Sequence, residues 1–224
     1  MEQYASQVDE LQQGAPYTSK DIDVLGDQRL AQECAVRLTE ARVHLPNIDD
    51  HATPNAAKII FHDHGVALEI DVMRDTLGVR PEEIREMAIP VELRDRQTGA
   101  PTGTSFHVMH PVHCMESRVY KVLVLNQNTT HATKQLRASV LCAREFIQAL
   151  LGTGRIRDAL RLQERIFRFV MADHHGQRIS AAVGIDPFDA VVRSEALPEA
   201  FRSKRYPQMQ SALAKKRRTA NSIR

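Results

Sequence analysis

The sequence predicts an α+β fold, a mixed sheet with helices followed by an all-helical part. Three observations carry that prediction. Up to about residue 109, short apolar and β-branched runs (AKIIF, VALEIDVM, IPVEL, SFHVM) alternate with turn-prone segments. After His110 the apolar residues recur at helical spacing through PVHCMESRVYKVLVL, HATKQLRASVLCAREFIQALL and IRDALRLQERIFRFVMADHH. The change of period happens once, with no internal repeat. The expected organisation is an α/β domain over 1–109, a helical domain over 110–200 and a basic C-terminal tail over 201–224.

Each element has its own warrant. Val8 to Gln13 reads as the end of a short helix stopped by Gly14 and Pro16. Asp21 to Leu25 reads as a strand. From about Asp27 to Val43, Leu30, Cys34, Leu38 and Ala41 fall along one stripe, which predicts an amphipathic helix. HLPNIDDHATPN is loop, rich in Pro, Asn and Asp. AKIIF and VALEIDVM, joined by HDHG, predict a hairpin. TLGVRPEEIREMA gives a turn and a short helix with Pro81 in its first turn. IPVEL and SFHVM are two further strands around RDRQTGAPTG. Beyond the three long helical runs, shorter helical pieces are expected around Asp186–Val192 and Pro198–Arg202.

Composition narrows the classes. With 224 residues, 42% hydrophobic and 26% charged, the chain can bury a sizeable core and is not expected to be disordered. No run of about 18 apolar residues occurs, so no membrane span is expected. The polar, acidic start MEQYASQVDE lacks the order of a signal peptide. Cys34, Cys114 and Cys142 form no CxxC pair, which suits buried free thiols in a reducing, cytoplasmic setting. The net charge of +2 hides an asymmetry: from Phe201 onward there are eight Lys or Arg and no Asp or Glu. Such an end is either solvated or suited to RNA or another acidic partner.

The informative chemistry is acidic. Asp21 and Asp23 stand two apart in a strand, and so do Glu69 and Asp71 in LEIDVM. Residues two apart on a strand face the same way. Each strand therefore presents paired carboxylates within an apolar run, and two close carboxylates are costly unless a cation or water compensates them. If the strands are neighbours, three or four carboxylates converge, a donor set suited to Mg²⁺.

TSKDIDVL resembles the hDhDh signature of the DNA polymerase β nucleotidyltransferase superfamily, and LEIDVM resembles its third-carboxylate strand. More specifically, the chain is similar to nucleotidyltransferase-like proteins of the abortive-infection toxin type, over most of residues 1 to 200. HPVHCMESR and HATKQLRASVLCAREFI resemble their helical segments. The resemblance implies a minimal nucleotidyltransferase sheet followed by helices, with Mg²⁺ or Mn²⁺ as cofactor and an NTP as substrate. The implied reaction moves a nucleoside monophosphate to an acceptor hydroxyl on RNA, protein or a small molecule. An antitoxin-like protein partner also follows from it. Asp21 and Asp23 would hold metal, with Asp71 as third carboxylate and Glu69 the alternative. Ser19 and Lys20 would lie against the nucleotide, and Arg118 and Lys121, on the helix after His110, would steady phosphate. The family's Gly-Gly or Gly-Ser turn, some ten or more residues before the DxD pair, has no counterpart here, where Gly14 stands alone. The expectation is a shortened or degenerate member, and the rival is a catalytically inactive binding protein on the same fold.

Other residues carry less. Arg137 and Arg144 share a helix face and read as surface positions, as alternatives to lining a cleft. His107, His110 and His113 with Cys114 suggest zinc, but no second cluster supplies the four defined ligands of such a site. His110 reads as a cap or packing residue. Leu136, Val140, Phe146, Ile147 and Leu150 read as core.

Overall fold

The computed structural model describes residues 21–47, 53–95, 97–127 and 129–222. The helix expected over Val8–Gln13 lies outside them, as do Ser19 and Lys20. Backbone contacts divide the chain into two compact units at Ala88/Ile89. The observed class is α+β, with the mixed sheet first and helices after it.

The first unit runs β1 (Asp21–Leu25), α1 (Gln28–Ala35), β2 (Arg42–His44), β3 (Asn55–Asp63), β4 (Val66–Met73) and α2 (Pro81–Met87). The sheet order is β1-β4-β3-β2, with β1 parallel to β4 and the other pairs antiparallel. β3 and β4 are joined by a two-residue turn in which His64 (φ 48°) and Gly65 (φ 79°) both have positive φ. That is the geometry whose twist matches a hairpin. One sheet face is apolar. Ile59 and Val72 meet Ala31 of α1 together with Ala56 and Ala57, and Cys34, Leu38, Val43 and Ile70 close the edges of this core. Asp27 caps α1 by accepting from the Leu30 amide at 2.9 Å. A Cβ on Gly26 would come within 2.3 Å of the Leu30 side chain, so the strand-to-helix corner is tightly filled.

The amphipathic run 27–43 is not one helix. α1 ends at Ala35, Glu40 turns through a positive φ (55°), and Arg42–His44 pairs with β3 as an edge strand. Leu38 and Ala41 still pack on the same core after the helix has stopped. The apolar stripe therefore outlasts the helical backbone, and ladder pairing with β3 overrides it.

The second unit opens with a hairpin, β5 (Ile89–Arg94) and β6 (Pro101–Val108), paired antiparallel. By backbone contact this hairpin belongs with the helices. Then come α3 (Pro111–Val124), α4 (Thr130–Gly152), α5 (Ile156–Ala172), α6 (His174–Val183), a 3-10 turn (Pro187–Ala190), a π-helical turn (Phe201–Arg205) and α7 (Tyr206–Ser222). Met115, Leu136, Ile147, Ile166, Ile179 and Met209 are fully buried among these elements.

The last long helical run of the sequence is broken at Asp173. This residue ends α5 in extended geometry and caps α6, its Oδ1 accepting from the amides of His175 and Gly176. The basic C-terminal segment is helical and docked. Met209 and Leu213 are buried, Arg205 grips Glu164 with two 2.6 Å bonds, Arg217 pairs with Asp186, and Lys216 donates to the Met171 carbonyl. Among the described residues no helix is long and apolar enough to cross a membrane.

Candidate carboxylate site

The site is built by strand register. Asp21 stands opposite Glu69 and Asp23 opposite Asp71, in adjacent parallel strands. Neighbouring strands lie about 4.8 Å apart. Side chains of directly opposed residues project to the same side of a sheet, so these four positions share one face. That face is the one opposite α1, because Val72 and Ile70, their neighbours on β4, belong to the core beneath.

Burial grades across the site. Asp23 is exposed, the Glu69 side chain is 43% exposed and the Asp71 side chain only 15%. The Asp21 side chain is outside the described atoms. Asp71 Oδ1 is buried and accepts no hydrogen bond, with Lys58 Nζ standing 3.6 Å away, beyond hydrogen-bond length. Lys58 sits opposite Asp71 on β3 and donates to Glu69 Oε2 at 2.7 Å. That hydrogen bond, helped by the Asp71 charge and only partly opposed by burial, holds the Lys58 ammonium above the usual lysine range.

Hard carboxylate oxygens, one of them buried without a hydrogen bond, are donors of the kind Mg²⁺ or Mn²⁺ takes. Asp23, Asp71 and Glu69 would hold such an ion. Among the described residues no three His, Cys, Asp or Glu side chains are already gathered as a ligand set. The donors are therefore close neighbours in the ladder, not a preformed cage.

The remaining expected site residues belong to the helical unit. Arg118 donates to Gln135 at 2.5 Å, tying α3 to α4, and Lys121 lies half-buried in the last turn of α3. Arg137 lies 3.4 Å from Asp189, and Arg144 bonds its neighbour Glu145. Cys34, Cys114 and Cys142 are free thiols, and only Cys142 is buried. His110 is buried and caps α3, its Nδ1 accepting from the Val112 amide at 3.1 Å.

Lys58 is the residue of this face that sequence reasoning missed. Its signal was present: one cation inside the apolar run NAAKIIF marks a charged strand face just as the DxD pair does. No family model matches the chain, and no characterised protein or solved structure matches it.

Proposed function

We propose that this chain is a nucleotidyltransferase-like protein whose acidic sheet face binds a divalent ion and a nucleotide. The observation that carries the reading is the register, Asp23 beside Asp71 and Asp21 beside Glu69, on a face turned away from the apolar core. A bound Mg²⁺ or Mn²⁺ supplies charge neutralisation at an attacking hydroxyl and at a departing pyrophosphate. Asp23 and Glu69 would hold the cation from two strands. Asp71, the most enclosed of the described carboxylates on this face, would share the ion and accept the acceptor's proton. The acceptor is a hydroxyl of RNA, protein or a small molecule, and an antitoxin-like protein is the expected partner.

One observation favours the second reading, a fold retained for binding without catalysis. Lys58 already gives Glu69 and Asp71 a cation of the protein's own. Thermal unfolding separates the two. A divalent ion that binds only the folded state raises the unfolding midpoint by mass action. We expect Mg²⁺ or Mn²⁺ to raise it in the full chain, and Asp23→Asn with Asp71→Asn to remove the response. An unresponsive wild type would rule out the metal site and leave the binding protein. If the metal binds, incubation with each α-labelled NTP and total RNA or protein tests for transfer.

A further inference from the structure

The charged face is divided by strand. Its acids stand on β1 and β4, whereas β3 and β2 contribute Lys58 and, across from Lys58 and Ile60, His44 and Arg42. One continuous row reads Asp23, Asp71, Lys58, His44. A site built only to hold a cation gains nothing from a basic half, which repels the ion. Nor do the contacts within the fold account for it. Arg42 and His44 are exposed and make no hydrogen bond or ion pair with another described residue, while Val43 between them turns to the core.

We infer that Lys58, Arg42 and His44 form a phosphate-binding half of this face, beside the divalent ion. The inference rests on the metal reading above and names what the site takes with the metal. Lys58 is the hinge between the halves: its ammonium now leans on Glu69 at 2.7 Å and lies 3.6 Å from Asp71. With those carboxylates engaged by a divalent ion, Lys58 would be free to turn its ammonium toward a phosphate oxygen. Arg42 offers a two-pronged donor fork to phosphate, and His44 a further ring N–H. β2 lies two strand spacings from β4, about 10 Å. Long Lys and Arg side chains reaching across one end and a polyphosphate or phosphodiester chain at the other bridge that distance. The phosphates belong either to the nucleotide or to a nucleic-acid acceptor.

Isothermal titration in Mg²⁺ buffer distinguishes these sources. The full chain is titrated with inorganic tripolyphosphate, with ATP and with a single-stranded RNA oligonucleotide, as wild type and as Lys58→Met and Arg42→Gln. Loss of one charge-assisted contact should weaken the bound phosphate probe roughly tenfold to a hundredfold. Tripolyphosphate and ATP responding together assign the nucleotide, and RNA alone assigns the acceptor. Lys58→Met should keep or enlarge the thermal response to Mg²⁺ alone, because a competing cation is gone. Wild-type affinity retained in both variants, or no binding of any probe by a metal-responsive wild type, overturns the inference and leaves the metal site standing. Arg42 would then be a charge that guards an edge strand. A wild type deaf to metal overturns both together.

Discussion

Acidification should destabilise the helical unit through His110, and the size of the effect follows from its surroundings. His110 is buried, 5% exposed, and its ring makes a T-shaped contact with Phe146 at 4.9 Å between centroids. Burial first, then the neighbouring His113 and Arg165, pull its pKa down to about 4. Nδ1 accepts the Val112 amide, so the neutral ring carries its proton on Nε2, and protonating Nδ1 sets one N–H against another at the mouth of α3. The folded state thus binds fewer protons than the unfolded chain between about pH 4 and the ordinary histidine value of about 6.5. Stability rises with pH across that window and is lost as pH falls through it. For this one group, the loss from about pH 7 to about pH 4.5 comes to about 2.5 kcal/mol.

The comparison that isolates it is His110→Asn. Asparagine keeps a cap acceptor for Val112 but does not titrate. The chain has no tryptophan, so unfolding in urea is best followed by circular dichroism at helical wavelengths, where the second unit dominates. The variant loses ring packing and is expected to be weaker at neutral pH. Its stability should nonetheless fall less on acidification than the wild type's, by about 2.5 kcal/mol. Parallel pH profiles in the two proteins would refute the reasoning and assign acid sensitivity to other groups.

Two further perturbations test the packing of the helical unit. Arg165 clasps the buried carboxylate of Glu116 with bonds of 2.8 and 2.7 Å. Arg165→Met should cost about 3–5 kcal/mol in urea unfolding, and adding Glu116→Gln should restore part of it, because the buried charge is then gone. At the start of α6, a Cβ on Gly176 would lie 2.4 Å from the Phe169 carbonyl oxygen, a backbone atom that cannot swing aside. Gly176→Ala should lower the thermal midpoint, at a cost of roughly 1–3 kcal/mol. An unchanged midpoint would mean that α5 and α6 separate without penalty.

What the sequence disclosed of this fold depended on how local the cause was. The DxD strand, the β3–β4 hairpin and the proline-started α3 announce themselves by alternation, turn residues and a first-turn proline, all within a few residues of each other. α7 was missed because, among its described residues, only Met209 and Leu213 are buried and apolar, while Arg205 just before it and Lys216 and Arg217 within it make polar contacts to distant partners. A stripe that thin, in a run this basic, looks like a solvated end. The site shows the same limit in sharper form. Each acidic pair is visible alone, but β1 meets β4 only as a parallel neighbour after a long connection, and no local pattern encodes that pairing. Without the register, Asp71 remains an edge-strand carboxylate facing water and Lys58 an odd lysine in a core strand. With it, both belong to one row across the sheet, Asp23 to His44. The functional question then narrows to whether Lys58 is the permanent cation of that row or gives way to a metal.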